Sequence, residues 1–227
     1  MTPPDSHREV HFPEKDQPLR LDVGALGELV GQVIQEQAGQ DLFQLVESVR
    51  TASIKRREEG HSCEALRDLL GGRDPSEVRE LVRAFSTYFQ VVNLAEQVHR
   101  IRRGRDHLRL DGPPQQGSIA DAVLKLKESG LDAAEIADLF DSLLIEPVFT
   151  AHPTEATRRT ILEKQRSIAE RLLDRLNPAR TPREEETLWA RIRTDVTSAW
   201  QTKEQPTVRP SVADEREHVL FYLITVL

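Results

Sequence analysis

The chain has 227 residues, room for one large core or two small ones, and its 38% hydrophobic, 30% charged and 5% aromatic residues are those of a soluble protein. No run of about twenty apolar residues could span a bilayer, and the start, Met1-Thr2-Pro3-Pro4-Asp5-Ser6-His7-Arg8-Glu9, lacks the apolar centre of a secretory signal. With 31 Lys and Arg against 38 Asp and Glu the net charge is −7, which argues against a general nucleic-acid binder, while Cys63, the sole cysteine, excludes an internal disulfide and a thiolate metal cluster.

These totals imply a cytoplasmic location, with neither a membrane nor a nucleic acid as partner. Cys63 reads as a half-buried thiol or as a nucleophile, and no local motif activates it. Residues 1–21 form a flexible polar lead-in. From Asp22, the apolar set Val23, Leu26, Leu29, Val30, Val33 and Ile34 recurs at helical spacing, and Gly39 ends the pattern. Leu42, Leu45, Val46 and Val49 mark a second helix that pairs with the first as an antiparallel hairpin.

Asp74-Pro75-Ser76-Glu77 is a strong helix start, because Asp74 can accept from the first free amides, Pro75 suits the first helical position and Glu77 can reach back. The stripe that follows, including Val78, Leu81, Val82, Phe85, Phe89 and Ile101, predicts a long helix buried against several neighbours. Its basic end, from His99 to Arg109, faces the negative end of the helix dipole or, alternatively, a phosphate.

Two short helices come next, one entered at Ser118 and the other opened by Asp132-Ala133-Ala134-Glu135, with Ile136, Leu139, Phe140, Leu143 and Leu144 turned inward. Beyond residue 160, Ile161, Ile168 and Leu172 mark one helical face. Thr181-Pro182-Arg183-Glu184 opens another helix, in which Trp189 and Trp200 are core residues. The apolar run 219–227 has no cap and no polar tail, so a chain truncated at its C-terminus is expected.

Between the short helices and the helix after residue 160 lies Glu146-Pro147-Val148-Phe149-Thr150-Ala151-His152-Pro153-Thr154. Residues 147–151 form a short β-strand, the single strand expected in a predominantly α-helical chain. Pro153 biases His152 away from helical dihedrals, so the histidine sits in a turn before a helix start rich in free amides, with Thr154, Thr157, Arg158 and Arg159 nearby. Phosphate or carboxylate is the natural guest there. A histidine at such a corner either moves a proton near neutral pH or hydrogen-bonds locally, and Arg158 and Arg159 either bind phosphate or form a solvated face. The other histidines show no metal-ligand spacing.

Val148-Phe149-Thr150-Ala151-His152-Pro153-Thr154-Glu155 with Arg158-Arg159-Thr160-Ile161-Leu162 resembles the histidine signature of the phosphoenolpyruvate carboxylase family. The segment from Phe85 to Gln97 and Trp200-Gln201-Thr202 resemble two further segments of that family, and the likeness runs from about residue 22 to the end. The resemblance implies that residues 22–227 are the N-terminal part of one domain whose parent fold is a helix-rich α/β barrel assembled as a homotetramer. It implies an enzyme converting phosphoenolpyruvate and bicarbonate to oxaloacetate and phosphate with Mg²⁺ or Mn²⁺, in which His152 removes the carboxyl proton of carboxyphosphate. By the same resemblance Arg158 and Arg159 match positions that bind a sugar-phosphate activator in plant members, so allosteric metabolites are partners. The resemblance places the metal carboxylates outside these residues, so no metal ligand is expected in this chain and a segment inactive alone is expected. Where the family carries an acidic residue and Ile-Arg-Arg after Trp-Gln-Thr, this chain has Lys203-Glu204-Gln205-Pro206-Thr207-Val208-Arg209. The alternative is a noncatalytic helical interaction module that keeps the motif as structure.

Overall fold

The computed structural model describes residues 13–60, 63–110, 112–146, 158–203, 211–214, 216–217 and 219–220. The chain divides into two compact units, residues 1–99 with 157–207 and residues 100–156 with 208–227.

The first unit is helical. Helix α1 (Gln17–Ala38) follows a 3₁₀ turn at Glu14–Asp16 and begins earlier than the apolar pattern suggests, since Leu19 already packs against the core. Gly39, at φ 90°, lets the chain turn directly into α2 (Gln40–Glu59), a conformation that costs a residue with a Cβ but not glycine. The expected pairing of α1 with α2 is present. A short helix, α3 (Glu64–Leu70), was not anticipated; its Leu66, Leu69 and Leu70 cover Leu45, Val49 and Leu81 in a small satellite core.

Helix α4 (Pro75–Arg109) starts where the Asp74-Pro75 signal puts it, with the Ser76 amide donating to the Asp74 carboxylate at 2.8 Å. Glu77 does not reach back to the cap; it takes an N–H from Arg73 at 3.4 Å. Through His99 this helix belongs to the first unit. The main core unites Leu26, Val30 and Val33 of α1, Val91, Ala95 and Val98 of α4, Ile168 and Leu172 of α7 (Arg159–Asp174), and Ile192, Val196 and Trp200 of α8 (Pro182–Gln201). The expected stripe on α4 is only partly covered: Val82 and Phe89 are more than half exposed. Its apolar arc is wider than the contact that α1, α7 and α8 make with it.

Two buried carboxylates fasten this bundle. Asp22 on α1, 4% exposed, accepts from Arg175 at 2.6 Å, and the same guanidinium donates to Glu185 of α8 at 2.6 Å. Arg175 also lies 4.8 Å over the Trp189 ring, whose indole N–H donates to Glu185 at 3.0 Å, so Trp189 is a half-buried bridge and Trp200 the buried core residue. Asp195 of α8, 5% exposed, accepts from Lys164 and Arg171 of α7 at 3.1 and 2.6 Å.

In the second unit, Ser118 caps α5 (Ile119–Glu128) by accepting from the Asp121 amide at 3.1 Å, and α6 (Ala133–Asp141) opens with the expected reciprocal capping box of Asp132 and Glu135. The inward turn expected of α6 is a correction. Only Ile136 is buried, while Leu139, Phe140, Leu143 and Leu144 are 44–80% exposed, because α5 is the element packed on α6 among the described residues and one neighbour covers only a narrow stripe. No strand occurs among the described residues, and the strand expected at 147–151 lies outside them.

Two outcomes follow from this packing. Arg175→Met removes the guanidinium that pairs with the buried Asp22 carboxylate at 2.6 Å and should lower stability by about 3 kcal/mol, read as a shift of the denaturant midpoint, whereas an exposed change such as Arg166→Met should barely move it. Helix caps should also set acid sensitivity. Hydrogen bonds from the Ser76 hydroxyl and amide hold Asp74 below the usual carboxylate range, the Lys125 ammonium and Gly117 amide do the same for Asp121, and the Thr181 amide and hydroxyl for Glu184. Each folded value is depressed, so the stabilisation is complete above the ordinary carboxylate pKa of about 4 and vanishes as pH falls through the folded value. Helical circular dichroism should therefore decline only below about pH 4, and Glu184→Gln should reduce that dependence.

Candidate functional site

His152 lies outside the described residues, as do Thr154 and Thr157; the structure describes the helix that immediately follows them. Arg158, half-buried at φ −58° and ψ 136°, is the extended residue from which α7 springs, and its carbonyl accepts from the Ile161 amide at 2.9 Å. Ile161 is 2% exposed, and Ile168 and Leu172, further along α7, belong to the main core.

The electrostatics of that start are unusual for a helix. Its first turn holds no carboxylate and its N-cap makes no side-chain cap, whereas negative groups are the ones favoured beside the positive end of the dipole. Arg159 offsets part of its own misplaced charge by donating Nε to Glu163 Oε1 at 2.9 Å across one turn. Arg158 and Arg159 both have further partners. The structure brings these two arginines together at one helix end, and such an end suits a small anion better than a cation.

Elsewhere the chemistry is quieter. A cavity of about 1230 Å³ lies among α1, α2 and α4, lined by Gly27, Gly31, Phe43, Ile54, Tyr88 and Phe89. Its depth depends on two glycines, since a Cβ at Gly27 would sit 3.2 Å from the Tyr88 ring and one at Gly31 3.1 Å from Phe43. The Glu47–Arg50 pair at 2.7 Å stands at its side, with the Arg50 guanidinium held in its charged form above all by its hydrogen bond to Glu47. No histidine or cysteine among the described residues lines the cavity. His99 is buried on α4 with Nε2 3.4 Å from Asp16, a core histidine, and Cys63 is a half-buried thiol just before α3. Among the described residues no group of three or more His, Cys, Asp or Glu gathers to hold a metal ion.

Comparison with known proteins bears on the whole chain. The family model of phosphoenolpyruvate carboxylase matches residues 19–227. The phosphoenolpyruvate carboxylase of Xanthomonas campestris pv. campestris (strain 8004) is 49% identical over 217 residues, covering 95% of this chain and 24% of that protein. Those of Nitrosomonas europaea and Ralstonia nicotianae are each 40% identical, over 211 and 213 residues, covering 92% and 93% of this chain and 23% and 22% of theirs. The chain thus spans about a quarter of the length of the curated relatives it matches.

The Arg159–Glu163 pair is exposed on both sides, so Glu163→Gln should change stability by less than about 0.5 kcal/mol; a larger loss in urea unfolding would show that the pair organises the helix start.

Proposed function

The chain belongs to the phosphoenolpyruvate carboxylase family, and from that membership we propose that it supplies the histidine-bearing segment of an enzyme that makes oxaloacetate and phosphate from phosphoenolpyruvate and bicarbonate. The observation that carries this reading is the match over residues 19–227, which takes in His152 and both arginines.

In the proposed reaction bicarbonate accepts the phosphoryl group of phosphoenolpyruvate, giving carboxyphosphate and the enolate of pyruvate. His152 takes the proton of the carboxyl group, a role open to imidazole because its unperturbed pKa of about 6.5 lies close to neutral pH. The electron pair of the O–H bond becomes the second C=O bond of carbon dioxide, the bond from that carbon to the phosphate oxygen breaks, and phosphate leaves. The enolate carbon then attacks carbon dioxide and the new C–C bond completes oxaloacetate. Pro153 suits this role by keeping His152 out of the helix, where its ring would be committed to a helical face.

Mg²⁺ or Mn²⁺ would stabilise the enolate charge in such an enzyme, and among the described residues no group of three or more His, Cys, Asp or Glu gathers to hold it. Arg158 and Arg159 have the chemistry for the phosphate group of a metabolite effector, at a helix start free of carboxylates. Cytoplasmic location and a homotetramer belong to the same proposal; in support of the former, no helix among the described residues is long and apolar enough to cross a membrane.

Two measurements test the reading. In an enzyme of the relatives' length carrying these residues, His152→Asn should cut oxaloacetate formation at least about 100-fold with unchanged helical circular dichroism. Unchanged turnover would instead favour a noncatalytic module in which the motif is structural. The 227-residue chain by itself should give no bicarbonate-dependent oxaloacetate, and robust turnover would show that it holds a complete site.

A further inference from the structure

At the corner where α7 hands over to α8 there is a second cavity, of about 360 Å³, lined by Arg171, Asp174, Arg180, Arg183, Glu184 and Arg191 among others. The geometry points to this corner as a binding site for phosphate, either the free ion or a phosphate monoester, separate from Arg158 and Arg159 at the opposite end of α7.

The charges around the cavity do not cancel. The Glu184 carboxylate accepts from the Thr181 amide and hydroxyl at 2.8 and 2.9 Å in the cap of α8 and keeps its negative charge, to which Arg180 contributes an attraction. Arg171 is neutralised by Asp195, to which it donates at 2.6 Å, and also donates to Ser167. That leaves the three guanidinium groups of Arg180, Arg183 and Arg191 against the two carboxylates of Asp174 and Glu184, an excess of one positive charge. Arg183 and Arg191 make no ion pair within 4.0 Å among the described residues, and Arg180 spends one N–H on the Asp174 carbonyl at 2.9 Å.

A second observation concerns Arg180 itself. Its Nε is buried and has no hydrogen-bond partner, the one such side-chain atom among the described residues. Buried donors are nearly always paired, so the Arg180 guanidinium carries donor capacity that no group among the described residues uses. The dipole of the 20-residue α8 adds positive potential at the same corner. Carboxylates can pair with arginine too, but a tetrahedral dianion offers oxygens in several directions at once. Three guanidinium groups arriving from the loop and from two turns of α8 match that arrangement.

The test is titration of the 227-residue chain with inorganic phosphate at constant ionic strength, followed by calorimetry and by the thermal midpoint. Saturable binding should weaken about tenfold in Arg183→Gln and in Arg191→Gln, both exposed positions whose loss leaves the core intact, and should be unaffected by Arg166→Gln, an exposed position of α7 that lines neither anion site. Glycerol phosphate as competitor separates the two sources: displacement shows that the site takes monoesters, and its failure limits the site to the free ion. The proposal is overturned if phosphate gives no saturable response, if succinate binds and phosphate does not, or if Arg183→Gln and Arg191→Gln retain the full response.

Discussion

A buried carboxylate must find a cation, and in this chain that requirement ties three helices together. Asp22 and Asp195 are each about 95% buried, where an unpaired charge would cost several kcal/mol. Arg175 answers the first from the end of α7 while also holding Glu185 and covering Trp189 on α8. Lys164 and Arg171 answer the second. A sliding of α7 along α8 by one turn, about 5.4 Å, would break both sets, although the leucines and isoleucines of the core would tolerate it. Apolar packing supplies the attraction, and the ion pairs choose the register.

That register matters because α7 carries the histidine segment's downstream end. Ile161 is in the core within the first turn of α7, so Arg158 and Arg159 emerge from a fixed point. Arg83 of α4 lies 4.5 Å over the Trp200 ring, which fastens α8 to the long helix by a contact that is again cationic on one side and aromatic on the other.

Much of this was legible beforehand because caps and helical periodicity are local. Ser118, Asp132 with Glu135, and Thr181 with Glu184 each cap the helix their spacing announced. Periodicity cannot say how much of an apolar face will be covered, and that is where expectation and structure part: Val82, Phe89, Leu139, Phe140 and Leu144 have the right spacing and remain exposed. The helix α3 escaped notice because it is a single seven-residue stretch, although Leu66, Leu69 and Leu70 carried its signature. The buried pairs were out of reach, since residues 22 and 175 meet only through the fold. The same holds for the arginines at the α7–α8 corner: Arg183 and Arg191 are two turns apart on one helix, and nothing local brings Arg171 and Arg180 to them.

The two helix starts of the α7–α8 hairpin satisfy their free amides in opposite ways, and the difference explains which groups are left to meet an anion. At α8 the Thr181 hydroxyl and the Glu184 carboxylate complete a capping box, with Glu184 and Glu185 both in the first turn. The amides there are answered from within, so attraction for an external anion has to come from guanidinium side chains that the cap does not use. At α7 the N-cap residue, Arg158, makes no side-chain cap, the first turn holds no acid, and two arginines stand where carboxylates are usual. Backbone donors and side-chain cations then reinforce one another instead of competing with a built-in acid. A helix start without an acid in its first turn forgoes the favourable charge–dipole interaction that Glu184 and Glu185 supply at the start of α8. The family's histidine signature runs directly into the start of α7.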